Sequence, residues 1–367
     1  MQLIEMVRLA AGLLPCVALL SLTAMAIAQD PEWRDATDFE IEGNGWLNPA
    51  APYVRLPDTA KGKINELAWE LSKHSAGISV RFETNAPSIE ARWILSYETL
   101  EMHHMPSTGV SGLDLYARSA DGQWRFIGNG RPHQHESEAR FVFPENMPSP
   151  RECLLYLPLY NGVQSLQIKV PAGSQLNAPA PRPPQNRQPL VVYGTSIAQG
   201  GCVSRPGLVW TSILGRILDR PVINLGFSAS GIMETTVGEV LAELDPAVYI
   251  IDCLWNTGDM SQEDYMLRIS SLVESIRARH PHTPIVFVGQ SLIWPEAHPT
   301  SFTLKQEAAV RALQDQGVQG LVIVPGDDLV GDDGEGTVDG VHLNDIGMLR
   351  QAEVLAPIVK DLLGAIQ

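Results

Sequence analysis

Five short apolar runs constrain this chain more than any other feature: Leu190-Val191-Val192-Tyr193, Val222-Ile223-Asn224-Leu225, Val248-Tyr249-Ile250-Ile251, Ile285-Val286-Phe287-Val288 and Leu321-Val322-Ile323-Val324. Each has the length of a strand and none alternates regularly with polar residues, so both faces must be covered. Helix-like stretches follow them at residues 208–218, 237–244, 265–279, about 303–314 and about 345–363. Strands alternating with helices predict a parallel sheet with helices on both sides and ligands at the carboxyl ends of its strands.

Upstream, the period changes. Ile78-Ser79-Val80-Arg81-Phe82 and Leu113-Asp114-Leu115-Tyr116-Ala117-Arg118 alternate in the manner of half-buried strands. Gln123-Trp124-Arg125-Phe126-Ile127 follows the turn signal Asp121-Gly122, and Leu166-Gln167-Ile168-Lys169-Val170 adds another run. Such strands predict a β-sandwich, jelly-roll-like, over residues 29–170. Residues 171–188 are rich in proline and lack apolar periodicity, which predicts an extended linker. The α/β unit then occupies residues 189–367, and two domains suit a chain of this length.

Residues 1–28 read as a secretory leader rather than as part of the fold. Arg8 precedes an apolar run, and Ala26-Ile27-Ala28 supplies the small-residue pattern of a cleavage site after Ala28. The run is short for a bilayer span, which needs about 20 residues. A secreted or periplasmic protein is therefore expected. Removal of the leader takes Cys16 with it and leaves Cys153, Cys202 and Cys253, an odd number that excludes a full disulfide framework. Cys202 and Cys253 either pair or remain buried thiols.

The formal charge is −16 and basic residues never cluster. That argues against nucleic acid, whose phosphates need a basic footprint, and against stable association with anionic membranes. A small-molecule or carbohydrate ester remains compatible with it. Sequence does not specify an oligomeric state.

Chemistry concentrates where strands of the second unit end. Tyr193-Gly194-Thr195-Ser196-Ile197-Ala198-Gln199-Gly200-Gly201 closes the first strand, and its glycines permit a tight turn that lifts Ser196 over the sheet edge. Asp339-Gly340-Val341-His342 lies between the fifth strand and the last helix. His342 there can take the Ser196 proton, while Asp339 binds the other ring nitrogen and stabilises the imidazolium. Each segment also has a purely structural reading. Ser196 would then be a helix cap, and Asn344 would cap the last helix beside a merely exposed His342. Gly226, ending the second strand, and Asn256, after the third, are candidate oxyanion donors alongside the Ser196 N–H.

These blocks resemble the SGNH hydrolases, also called GDSL esterases, whose Ser, Gly, Asn and His fall here on Ser196, Gly226, Asn256 and His342. The resemblance spans about residues 189–367 and implies a flavodoxin-like three-layer hydrolase domain working without a cofactor or metal. Two blocks depart from the usual patterns. The first reads GTSIAQGG rather than GDSL, and the third reads Leu254-Trp255-Asn256-Thr257 rather than GxND. Gly112-Leu113-Asp114-Leu115-Tyr116 resembles the GxDLY signature of a β-sandwich found ahead of some members, and residues 157–162 resemble another part of it.

The resemblance implies a serine esterase acting on small acyl groups, with acetylated carbohydrate the first substrate to consider. An acyltransferase using the same acyl-enzyme and a non-catalytic carbohydrate-binding protein are the alternatives. In related architectures the sandwich borders the catalytic mouth, so His103, His104, Asp114 and Tyr116 are candidates for that wall. Arg205 and Trp255 are further candidates for substrate contact. His133-Gln134-His135-Glu136 lacks a third histidine at zinc spacing, and the acidic residues 327–333 lack EF-hand spacing. Both are better read as solvated loops.

Overall fold

Parallel pairing gathers the five apolar runs into one sheet in a computed structural model describing residues 32–46, 48, 51–291 and 299–366. The expected leader and Cys16 lie outside the described residues. Spatial order is Val222–Gly226, Leu190–Gly194, Val248–Asp252, Ile285–Val288, Leu321–Val324, the second-first-third-fourth-fifth order of flavodoxin-like folds.

Alternate residues of each strand enter different cores, which explains the unbroken apolar runs. Leu190, Val192, Val248 and Ile250 face one side, where helices Trp210–Leu218 and Asp345–Ile366 pack. Val191, Tyr193, Tyr249 and Ile251 face the other, under Thr235–Leu241, Gln262–Arg279 and Ser301–Asp315. Full burial of a Val, Leu or Ile contributes about 1.5–3 kcal/mol. A polar substitution on either face is therefore costly.

The helix ends obey local chemistry. Ser261 accepts the Asp264 N–H at 3.0 Å at the start of Gln262–Arg279, and Arg277 and Arg279 lie in its last turn. Asn344 Oδ1 accepts the N–H groups of Ile346 and Gly347 at 3.0 and 3.1 Å, capping the last helix. Asn344 thus caps while His342 remains available for another task.

The amino-terminal half contains a four-stranded and a six-stranded antiparallel sheet. Ile89, Ala91 and Trp93 from the first share a core with Val80, Phe82, Leu115 and Leu155 from the second, the packing of a sandwich. Six strands beyond those expected complete it: the longer Ser88–Leu95, Glu136–Val142 and Arg151–Tyr156, and the short Arg34–Asp35, Glu40–Glu42 and Leu176–Asn177. The proline-rich segment is less free than its composition suggests. Leu176–Asn177 pairs with Thr84 and Glu83, so the six-stranded sheet reaches past the expected break at Val170. Arg182 then holds Glu42 at 2.7 and 3.0 Å and Asp219 at 2.8 Å, tying sandwich, strap and α/β unit together. Among the described residues no helix is long and apolar enough to cross a membrane.

Candidate active site

The serine turn is built by its neighbours. Thr195, not Ser196, caps the single helical turn Ser196–Gln199 by accepting the Ile197 N–H at 3.3 Å. Gly200 closes that turn at φ +108°, a conformation that disfavours side chains. The Ser196 hydroxyl is thereby released from capping. Gly194 must be small because a β-carbon there would lie 2.7 Å from Ala198 Cβ and 2.8 Å from the Asp252 carbonyl oxygen.

Across 146 residues, His342 Nε2 comes to 2.9 Å from Ser196 Oγ. His342 Nδ1 lies 2.8 Å from Asp339 Oδ2, while Asp339 Oδ1 accepts the N–H groups of His342 and Val341 at 2.8 and 3.0 Å. Partial burial alone would raise the Asp339 carboxyl. The bonds from the His342 N–H, the imidazole and the Val341 N–H outweigh it and hold the group at about 2. An ionised Asp339 presents Nδ1 with an acceptor, so the proton resides there and Nε2 is left basic towards Ser196.

The glycine expected in the oxyanion hole is engaged elsewhere. Gly226 N–H donates to Asn224 Oδ1 at 2.9 Å, and its carbonyl accepts Arg55 Nη1 at 2.6 Å. Gly226 is buried at a strand end, where a β-carbon would lie 2.1 Å from Gln199 N. Its role is close packing. Three residues on, Ala229 is exposed at φ +56°, and its N–H meets no partner among the described residues. Alanine rarely takes a left-handed conformation, so the residue type alone does not mark this N–H as available. Asn256 Oδ1 accepts the Gly231 N–H at 3.2 Å, which occupies the amide oxygen, while Nδ2 meets no partner among the described residues. Gly231 presses against the serine turn so closely that a β-carbon would be 2.4 Å from the Gly194 carbonyl oxygen. The segments carrying Ser196, Ala229 and Asn256 are therefore in mutual contact.

The four expected substrate residues separate into two groups. Arg205 and Tyr116 are spent on an internal clasp. Arg205 Nη1 donates to Asp114 Oδ2 and Tyr116 Oη, both at 2.7 Å, and Asp114 also accepts the Gly207 N–H at 2.8 Å. Asp114 is 0% and Tyr116 4% exposed, so neither Tyr116 nor Asp114 lines a mouth. This explains the GxDLY residues physically: they grip the segment following the serine turn. His104 is exposed and bonded to His103 at 3.2 Å. Its imidazole is held below the usual range by partial burial, then by the charges of His103 and His342. Trp255 is half-buried, with its indole N–H on Ser291 Oγ at 3.1 Å.

Cys153, Cys202 and Cys253 are all buried free thiols, so Cys202 and Cys253 do not pair. No group of three or more His, Cys, Asp or Glu able to hold a metal occurs among the described residues. Asp333, in the acidic stretch, is engaged by Arg350 through two contacts of 2.7 Å.

A buried acid lies close to the serine turn. Burial pushes the Asp252 carboxyl up to about 7, against the Gln351 amide that donates to it at 3.1 Å. Its folded value exceeds the 3.8 of an ordinary aspartate, so the folded chain keeps a proton that the unfolded chain releases. This group therefore lowers stability as pH rises from about 4 to about 7. Asn at this position still accepts from Gln351 and does not titrate. Thermal melting across that range will show Asp252→Asn gaining on the wild type as pH rises. A constant offset between the two curves would contradict the titration.

Comparison with known proteins agrees with this architecture. Residues 187–360 match the model of the GDSL-like lipase/acylhydrolase family, and residues 31–176 match the N-terminus of SGNH-hydrolase-type esterases. A GDSL-like lipase from Bacteroides ovatus is similar at 32% identity and a TM-score of 0.81, over 91% of this chain and 98% of that one. A salicylyl-acyltransferase from a tetracycline biosynthetic pathway shares the fold at 17% identity and a TM-score of 0.71, over 92% and 98% of the two chains. A family two carbohydrate esterase from Clostridium thermocellum, solved with cellohexaose, shares it at 13% identity and a TM-score of 0.58, over 89% and 99%. No curated protein matches the sequence significantly. With a sandwich ahead of a flavodoxin-like unit and a serine–histidine–aspartate line at the sheet edge, the chain belongs to the GDSL-like lipase/acylhydrolase family and is an SGNH-type carboxylic ester hydrolase.

Proposed function

We propose that this protein removes small acyl groups, acetyl first among them, from alcohols carried on carbohydrate, with Ser196 as the nucleophile. The observation that carries this reading is the hydrogen-bonded line from Asp339 through His342 to Ser196. Ser196 Oγ attacks the ester carbonyl as His342 Nε2 takes its proton. The tetrahedral oxyanion is received by the N–H groups of Ser196 and Ala229 and by Asn256 Nδ2. Collapse expels the alcohol, to which His342 returns the proton, and leaves the acyl group on Ser196. Water then enters, deprotonated by His342, and the same steps release the carboxylic acid and restore Ser196.

The substrate class rests on three supports: a leader at residues 1–28 consistent with export, a net charge of −16 that disfavours anionic substrates, and a fold shared with carbohydrate esterases. The test is a panel of aryl and sugar acetates set against longer acyl esters, with fluorophosphonate labelling of the purified protein. Acetates should be cleaved at least tenfold faster in kcat/KM, a difference of about 1.4 kcal/mol at the transition state. Turnover of long-chain esters alone would end the carbohydrate reading. Acyl products on an added alcohol, in place of free acid, would favour a transferase instead.

A further inference from the structure

Two polar groups of the amino-terminal half, the part-buried Tyr160 and the buried Arg55, meet the turn around residues 224–231, and the steps above use neither. Tyr160 Oη lies 2.8 Å from Ser228 Oγ and 3.4 Å from the Ser196 carbonyl oxygen. A β-carbon on Gly201 would be 3.0 Å from Tyr160 Oη and 3.4 Å from His342 Cδ2, so the phenol lies next to the triad. Gln199 links the same pieces, accepting the Ser228 N–H at 3.0 Å and donating to the Leu159 carbonyl at 3.2 Å. Arg55, 0% exposed, donates to the carbonyls of Asn224 and Gly226 at 3.2 and 2.6 Å and lies 4.7 Å over the Phe227 ring. Residues 224, 226, 227 and 228 are thus each restrained from outside the turn. Ala229, the next residue, is exposed, and its N–H meets no partner among the described residues.

A main-chain donor is only as well aimed as its turn, and an alanine stays in the left-handed region only where its surroundings impose it. We propose that Tyr160 is a positioning residue for hydrolysis: through Ser228 it holds the turn that aims the Ala229 N–H at the oxyanion. The amino-terminal half is then part of the catalytic apparatus and not only a border to the substrate. This rests on the reading of Ser196 as nucleophile and of Ala229 as an oxyanion donor.

Tyr160→Phe keeps the ring against its neighbours and removes only the hydroxyl. With an aryl acetate, kcat should fall about tenfold while KM stays within about twofold, because the aim of a donor matters mainly in the transition state. Affinity for a boronic acid, which forms a tetrahedral adduct on serine, should fall by a similar factor, with the melting temperature unchanged. The Tyr160→Phe/Ser228→Ala pair should be no slower than the worse single variant, since both changes break one connection. Unchanged kcat in Tyr160→Phe, or additive losses in the pair, would overturn the positioning role while leaving the esterase assignment intact. Absence of Ser196-dependent turnover in the wild type would overturn both.

Discussion

Replacing Ser196 with alanine should abolish nearly all ester hydrolysis, by about a million-fold in kcat, with little change in folding. The size follows from the chemistry: without Oγ no acyl-enzyme forms, and His342 and Asp339 have no nucleophile to activate. Residual turnover would come from donors that still polarise the ester. The structural cost is small because Thr195, not Ser196, caps the turn. Losing the contact to a half-exposed imidazole costs about 1 kcal/mol. Hydrolysis of an aryl acetate, fluorophosphonate labelling and a melting curve together decide the matter. Retained activity or labelling in a folded Ser196→Ala protein would remove the proposed nucleophile.

Asn256 carries the second large effect. Loss of its amide donor should lower kcat by about 100- to 1000-fold with little change in KM, the usual consequence of removing one oxyanion contact. Alanine would also discard the acceptor for the Gly231 N–H, so Asn256→Ala confounds donation with turn packing. Asn256→Asp separates them. It keeps an oxygen for Gly231, lacks the donor and adds a charge that opposes the oxyanion. Its kcat should fall at least as far as that of Asn256→Ala, with a melting temperature nearer the wild type. An active Asn256→Asp enzyme would show that Nδ2 does not touch the developing charge.

The α/β unit was legible because its signal is redundant. All five runs became strands within one residue of expectation, since strands covered on both faces cannot tolerate polar interruptions. Half of the sandwich was harder to see. Glu136–Val142 presents Glu136, Glu138 and Arg140 outward, which dilutes the apolar signal until pairing with Ser88–Leu95 supplies the missing partner. The linker was misjudged for a related reason. Proline content predicts an extended chain, but whether that chain lies on a sheet depends on an open edge, here the strand Ser79–Thr84.

At the site, sequence alone determined that the segments carrying Ser196, Asp339 and His342 are candidates for one rim, because parallel strands deliver all their carboxyl ends to the same edge. Only the tertiary structure decided which remaining groups are free to act. Arg205 and Tyr116 had suitable chemistry but are consumed by Asp114 and by each other, and Gly226 is consumed by Asn224. Ala229 had no suggestive side chain, but its N–H meets no partner among the described residues. A side chain advertises what it can bond, whereas a main-chain donor is the same in every residue. Its availability is settled only when the fold closes around it and the other bonds have been made.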